Sequence, residues 1–191
     1  MILLAVALVV GLVLAQWRAG TLVGLGRLAF RRTPLVFAAL GVQVLIFSGP
    51  ASLRALLDPL FGWLYVGSFA LLLIALAANR ALPGLKAVFA GVCLNTLVIA
   101  VNGGRMPSVL PGAGTSAVEA GPLAAAATNT AALTAGTYLT VLADVLSLPS
   151  LVPGYAISAG DLLIAGGIIY LLQRAASARA TPAAAASPGI G

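Results

Sequence analysis

Five apolar segments recur along the chain, and they constrain its fold more than any other feature. They cover residues 1–16, 34–47, 60–78, 85–101 and 162–173. Only 7% of the residues are charged and 61% are hydrophobic, whereas roughly a quarter of the residues of a soluble domain are charged. Helices of about 20 apolar residues, or somewhat fewer, can cross a bilayer. The sequence therefore predicts an all-α integral membrane protein with about five transmembrane helices.

The charged residues between these segments predict an orientation, because Arg and Lys favour cytoplasmic loops. The first and third loops and the C-terminal tail carry most of the cations: Arg18, Arg27, Arg31, Arg32, Arg80, Lys86, Arg174 and Arg179. The second and fourth loops carry acidic residues beside Arg54 and Arg105. This pattern predicts an N-terminus outside and a C-terminus in the cytoplasm. Because the first segment has no basic residues before its apolar core, it is predicted to be a span rather than a cleaved signal peptide.

The segment from 102 to 160 is far longer than the other loops and is predicted to be external. Residues 118–143 are rich in Ala, Thr and Leu and contain no Lys or Arg. We expect them to form a helix that lies in the membrane interface or re-enters the membrane. Residues 1–174 are expected to form a single transmembrane domain. Residues 175–191, rich in Ala, Ser, Pro and Gly, are predicted to be a disordered cytoplasmic tail.

Composition also excludes several classes of site. The chain has no His and a single Cys, Cys93. A His-dependent catalytic triad, a zinc site and a disulfide framework are therefore excluded within one chain, and we expect neither a metal nor a cofactor. The net charge of +6 comes from cations at helix ends, so no nucleic-acid partner is predicted. The expected partners are the lipid bilayer and a small molecule, a lipid or another membrane protein.

A polar turn directly after the fourth apolar segment is the first candidate site. Its residues are Asn102, Gly103, Gly104, Arg105, Met106 and Pro107. The amide can donate and accept, the glycines free the backbone, Arg adds a fixed charge, and Pro prevents a return to helix. Asn95 lies seven residues before Asn102, on the same helical face, and would extend a polar stripe inward. Such a cluster near a membrane indicates a ligand-binding site.

The start of the fifth apolar segment is the second candidate site. Ser158 and Asp161 have the spacing of a capping box, which is a complete structural explanation for both side chains. Asp161 could instead be a working carboxylate, because Gly166 and Gly167 would leave room for a ligand or another backbone. Ser158 and Gly160 are candidate ligand-binding residues at this helix start.

Asp144 could cap a helix end or be solvated, or it could pair with Asp161. Two neighbouring carboxylates can share a proton and activate water without a metal. Asp144 and Asp161 are therefore the candidate catalytic residues, although a separation of 17 residues does not force contact. Arg105 could alternatively form a salt bridge with one of them.

Several other side chains are predicted to serve packing. Ala7, Gly11 and Ala15, like Ala87 and Gly91, form small-residue ridges that let helices approach closely, and they would also permit a homo-oligomer. Gln43 is expected to make a hydrogen bond between helices. Aromatic residues near two segment ends are interpreted as interfacial anchors: Trp17, Trp63 and Tyr65.

Most of the chain resembles a family of small bacterial multi-pass membrane proteins that is known only as a domain of unknown function. The resemblance is strongest in residues 102–107, 142–144 and 157–164. It implies localisation in the bacterial cytoplasmic membrane and implies no activity.

The order of Asn102-Gly103-Gly104 and Ala159-Gly160-Asp161 is also similar to that of lipoprotein signal peptidases, which are membrane aspartyl proteases. This likeness implies catalysis by Asp144 and Asp161. Gly160 stands where that family has Ala, and the family's Gly-Asn-x-x-Asp-Arg segment and one span are missing. These departures put the catalytic role of both aspartates in doubt.

Three functions follow from these patterns. The leading one is a non-enzymatic binding or accessory protein that handles a small solute or lipid at the external face. A metal-independent, aspartate-dependent membrane hydrolase is the chief alternative. An oligomeric transporter is the third, and it predicts a polar cavity near the midplane of the bilayer lined by Gln43 and Asn95.

Overall fold

The architecture was obtained from a computed structural model, which describes residues 2–19, 22–109, 130–147 and 156–177. The α-helices are α1 (Ile2–Ala19), α2 (Thr33–Ser48), α3 (Ala51–Leu57), α4 (Phe61–Ala78), α5 (Leu85–Val101) and α6 (Ala159–Ser177). The strands are β1 (Met106–Ser108), β2 (Thr130–Ala132), β3 (Leu146–Ser147) and β4 (Ala156–Ile157). Short 3-10 turns cover Val23–Arg27, Asp58–Leu60 and Thr140–Leu142.

The five apolar segments are confirmed as helices, and the protein is mostly helical. Among the described residues, two helical stretches are long and apolar enough to cross a membrane: Ala51–Ala78, with mean hydropathy 2.1, and Ala159–Ser177, with mean hydropathy 1.2. Helices α1, α2 and α5 are apolar but shorter. The helices thus provide apolar surfaces that suit association with a membrane.

The helices pack in the spatial order α1, α6, α5, α4, α2. The small residues of α1 face α6, where Gly11 lies against Leu172 and the Ile169 backbone. Gly91 of α5 lies against the backbone of Gly160 in α6. A Cβ at any of these glycines would meet a neighbouring helix, so the predicted packing role of the small residues is confirmed.

One end of the molecule, which we call the basic end, carries most of the cations. Asn79 at the end of α4 accepts a hydrogen bond from the Arg31 amide and donates one to the Arg31 carbonyl, both at 2.7 Å. This pairing fixes the connection before α2 to the connection after α4. The other described cations near this end are Arg18, Arg27, Arg32, Arg80, Lys86 and Arg174.

The opposite end carries a structure that we call the cap, formed by residues 102–109 and 130–147. β1 pairs in parallel with β2, with Met106 opposite Thr130, and β3 pairs antiparallel with β4. A helix was expected within 118–143, but residues 130–143 form a strand and a 3-10 turn, so that expectation is wrong there. Thr and Gly are weak helix formers, and pairing with β1 outweighs the helical preference of the Ala and Leu residues between them. Residues 118–129 lie outside the described part of the chain.

The expected role of one aromatic residue is corrected by the structure. Tyr65 is not an interfacial anchor, since only 5% of it is exposed and its ring packs against Phe47, Phe61 and Phe69. Burial within this aromatic cluster outweighs the polarity of one hydroxyl group. Trp17 and Trp63, in contrast, are 81% and 82% exposed, as an anchor would be.

Helix α6 continues past the predicted start of the tail at residue 175. It extends to Ser177, and Ala175 and Ala176 in its last described turn are buried against the 3-10 turn that contains Gly24. Residues 178–191 of the predicted tail lie outside the described residues.

Candidate functional site

Asn102 fastens the cap to the end of α5. Its Nδ2 donates to the carbonyl of Val98, at 2.8 Å, and to that of Tyr138, at 3.0 Å. Its Oδ1 accepts a hydrogen bond from the Tyr138 amide at 3.0 Å. An amide can make both contacts with one backbone unit because it carries a donor and an acceptor side by side. The Asn102 side chain thus links the end of α5 to the cap at Tyr138.

The two glycines after Asn102 turn the chain away from α5 and bring it to α4. Gly103 and Gly104 have φ values of 70° and 82°, a region that non-glycine residues rarely occupy. The Gly104 amide donates to the Ile99 carbonyl at 2.9 Å, which satisfies one of the last carbonyls of α5. The space where a Cβ of Gly104 would lie is taken by the Gly62 backbone of α4. The turn therefore needs glycine at position 104 for both conformation and space.

Arg105 reaches across the start of α4. Its Cζ lies 5.2 Å from the centre of the Phe61 ring, within the range of a cation–π interaction. The same side chain lines a cavity of about 200 Å³ at the cap end. Its other lining residues are Ile46, Arg54, Leu57, Asp58 and Phe61. Two guanidinium groups and one carboxylate therefore face a single space beside an aromatic ring.

Asn95, Ser158 and Asp161 form a closed hydrogen-bond network between α5 and α6. Asn95 Nδ2 donates to Asp161 Oδ1 at 2.8 Å, and Ser158 Oγ donates to Asn95 Oδ1 at 2.9 Å. The Asp161 amide donates to Ser158 Oγ at 3.0 Å, and the Ser158 amide donates to Asp161 Oδ2 at 3.2 Å. The last pair confirms the predicted capping box. A Cβ at Gly160 would overlap the Asn95 amide group, so this position supports the network.

Asp144 lies in the cap, where its backbone forms a parallel β-bridge with Ser108 of β1. Its amide donates to the Pro107 carbonyl and its carbonyl accepts from the Val109 amide, both at 2.9 Å. Its side-chain Oδ1 is buried and, within the described residues, has no hydrogen-bond partner. Burial raises the pKa of Asp144 to about 7, and the negative charge of Asp161 acts in the same direction. Asp144 thus carries a carboxyl group that holds its proton to a much higher pH than an ordinary aspartate does.

The predicted site residues fall into two groups, and Asp144 is hydrogen-bonded to the second of them through the Pro107 carbonyl. Asn95, Ser158, Gly160 and Asp161 meet at the top of α6, whereas the turn at 102–107 faces α4 and the cap. Met106 and Pro107 are buried in β1 and serve packing. The predicted polar stripe from Asn95 to Asn102 is divided, because the two amides bind different partners.

Sequence reasoning missed four residues that complete these groups: Arg54, Phe61, Gly62 and Tyr138. Gly62 in the Phe61-Gly62-Trp63 sequence was a usable signal, since a glycine in a first helical turn can mark close backbone approach. The sequence carries no signal that pairs Tyr138 with Asn102, because the contact is made through backbone atoms 36 residues away.

A larger depression, of about 540 Å³, lies towards the basic end between α1 and α6. Its lining residues are Leu14, Trp17, Arg18, Ile169 and Gln173. It is an open, mostly apolar surface, and the Gln173 amide already donates to the Gly11 carbonyl at 3.2 Å. Because polar groups do not converge there, the smaller cap-end cavity is the better candidate for a ligand. No cluster of three or more metal-ligating side chains occurs in the described ranges.

Residues 27–173 match the model of DUF5317, a family of unknown function. The match covers α2 to α5, the described residues of the cap and most of α6. Neither the curated proteins nor the solved structures contain a significant match to the chain.

Proposed function

The chain belongs to the DUF5317 family of unknown function, and from its own geometry we propose that it is a multi-pass protein of the bacterial cytoplasmic membrane that binds a small solute or lipid at its outer face. In this proposal α1, α2, α4, α5 and α6 cross the bilayer, the N-terminus is outside, and the C-terminus is cytoplasmic. The protein acts by binding, as an accessory or carrier component, rather than by catalysis.

The distribution of charge supports this orientation. The basic end gathers seven described cations, whereas Asp58, Asp144 and Asp161 all lie at the cap end. The positive-inside rule assigns the basic end to the cytoplasm and the cap to the outside. The five helices contain 16 to 19 residues and are roughly 24 to 29 Å long, close to the roughly 30 Å of a hydrocarbon core.

The observation that carries the binding role is the cap-end cavity of about 200 Å³ with its two guanidinium groups. Two arginines from separate parts of the chain, Arg54 and Arg105, line this space beside the Phe61 ring, and convergent polar groups of this kind are typical of ligand sites. The cap is pinned to α5 by Asn102 and to α4 by Gly104, so Arg105 is held in place before any ligand arrives. A preformed site of this kind lowers the entropic cost of binding.

The orientation predicts a definite labelling pattern. In a Cys93→Ser background, Ala135→Cys in the cap and Ala81→Cys at the basic end would each present one exposed thiol. A membrane-impermeant maleimide is expected to label only Ala135→Cys in intact cells, and to label both after the membrane is permeabilised. Labelling of Ala81→Cys in intact cells would reverse the proposed orientation.

The binding role predicts that a ligand raises the thermal stability of the purified protein. Saturating a site at 100 times the dissociation constant stabilises a protein by about 2.7 kcal/mol, which is readily measured. A panel of cationic, neutral and anionic solutes and lipids is therefore expected to give at least one shift. That shift should vanish in Arg105→Gln and persist in Arg80→Gln, the matched arginine at the basic end. A panel without any such shift would contradict the binding role.

An aspartate-dependent hydrolase is the second candidate, favoured by one observation. Burial raises the pKa of Asp144, and the charge of Asp161 adds to this effect. Carboxyl groups with unequal pKa values are the basis of acid–base catalysis without a metal. Against this, both oxygens of Asp161 are already bound in its network with Asn95 and Ser158. If this pair is catalytic, hydrolytic activity is expected to be lost in Asp144→Asn and also in Asp161→Asn, with protein levels unchanged. Activity that persists in either variant would exclude this mechanism.

The transporter hypothesis gains no support from the two amides on which it was based. Gln43 donates to Ser68 Oγ at 3.0 Å between α2 and α4, whereas Asn95 is bound between α5 and α6. Each amide is thus satisfied within its own helix pair, and a shared polar cavity between them has no basis in these contacts.

A further inference from the structure

We propose that the cap-end cavity binds a phosphate group, and that its source is the headgroup of an anionic lipid. This inference rests on the proposed binding role and specifies its ligand. The cavity is lined by Arg54, Asp58 and Arg105 among its polar side chains. Among the lining residues that the structure describes, two arginines and one aspartate carry a net charge of +1, a sign that suits the negative charge of a phosphodiester.

The guanidinium groups suit phosphate better than they suit a general anion. Arginine offers a planar set of donors that can hold two phosphate oxygens at once. Arg105 Cζ lies 5.2 Å from the centre of the Phe61 ring, so the ring helps to position the guanidinium group in advance. Arg54 approaches the same space from the last turn of α3. A phosphate between them would therefore meet donors from two separate elements of the chain.

The surroundings of the cavity favour a lipid as the source of this phosphate. Large apolar side chains beside it are exposed: Leu56 is 73% exposed, Leu60 is 52% exposed and Trp63 is 82% exposed. All three lie on the continuous helical stretch Ala51–Ala78 that carries Arg54 and Phe61. An exposed Trp at this level suits the headgroup region of a bilayer, where the indole ring is preferred. Acyl chains could then follow the apolar face while the phosphate enters the cavity.

Thermal unfolding of the full-length protein in neutral detergent tests this inference with four probes. These are inorganic phosphate, glycerol 3-phosphate, phosphatidylglycerol and phosphatidylcholine. We expect phosphatidylglycerol to give the largest shift and at least tenfold tighter apparent binding than phosphatidylcholine. Arg54→Gln and Arg105→Gln should each weaken that binding about tenfold, and Arg105→Lys should weaken it because the fork of donors is lost.

Two controls keep the result interpretable. Arg80→Gln removes an exposed arginine at the basic end and should leave binding unchanged. Arg54 is exposed on α3, so Arg54→Gln should fold normally even where Arg105→Gln does not. Shifts with inorganic phosphate that depend on both arginines, without a preference for phosphatidylglycerol, would support the phosphate site and identify the free ion as its ligand.

Other outcomes separate this inference from the binding role. Binding of phosphatidylglycerol that is lost equally in Arg80→Gln and Arg54→Gln would overturn the inference, as would an equal response to phosphatidylcholine. A shift with a solute that lacks phosphate, abolished in Arg105→Gln, would overturn it while supporting the binding role. The absence of any shift across the wider panel would overturn both.

Discussion

Replacing Asp144 with Asn is expected to make the protein more stable at pH 8 and to flatten its stability between pH 4 and pH 7. In the unfolded chain this carboxyl has a pKa of 3.8, and burial raises it to about 7 in the folded protein. Between these values the folded state keeps a proton that the unfolded state has lost. The stabilisation that comes from this retained proton is therefore fully present below pH 4. It falls as the pH rises above 4 and is lost once the pH has passed through 7.

The size of this effect makes it accessible to measurement. A shift of about three pKa units corresponds to at most about 4 kcal/mol at 1.36 kcal/mol per unit. Asn has the shape of the protonated acid but cannot ionise, so the variant should lack this pH dependence. Chemical unfolding in detergent micelles at pH 4, 6 and 8 would show it. Asp58→Asn, which alters an exposed carboxylate at the same end, should leave the pH dependence intact. An unchanged slope in Asp144→Asn would rule out Asp144 as its origin.

Replacing Gly104 with Ala is expected to cost about 2 to 5 kcal/mol of stability and to detach the cap from α4. The left-handed conformation at φ 82° costs a residue with a Cβ about 1 to 2 kcal/mol. The new Cβ would also overlap the Gly62 backbone, and relieving such overpacking typically costs about 1 to 3 kcal/mol more. Because Arg105 follows directly, its placement over Phe61 should be lost as well.

Gly103 provides a matched control for this substitution. It has a similar φ of 70°, but nothing lies within 4 Å of the space that its Cβ would occupy. Gly103→Ala should therefore cost only the conformational term of about 1 to 2 kcal/mol. Unfolding in micelles, followed by tryptophan fluorescence, would compare the two variants. Equal losses for both would show that the contact between positions 104 and 62 contributes nothing to stability.

The five apolar helices of this protein could be predicted from sequence because each corresponds to a continuous run of apolar residues. The small residues of α1 and α5 also predicted close helix packing, and the Ser158–Asp161 spacing predicted the capping box. All of these features depend on residues within a few positions of one another. Local periodicity and capping chemistry are sufficient to encode them.

The cap could not be predicted in the same way, because its contacts join distant positions. β1 pairs with β2 across more than 20 residues, and Asn102 binds the backbone of Tyr138, which any residue type could present. The prediction of Tyr65 as an anchor is wrong because its aromatic neighbours come partly from α2. The arginines of the cavity were visible as single residues, but their convergence depends on the fold of α3 against the cap.

The place of α6 in the bundle has a consequence for the biogenesis of the protein. α1 is synthesised before α2, α3, α4 and α5, whereas its main neighbour, α6, follows all of them in the chain. The ridge of Ala7, Gly11 and Ala15 therefore cannot pack against α6 until residues 159–177 have been synthesised. A chain truncated before residue 159 would lack the helix against which Gly11 packs, so α1 would lose its main contact with the bundle.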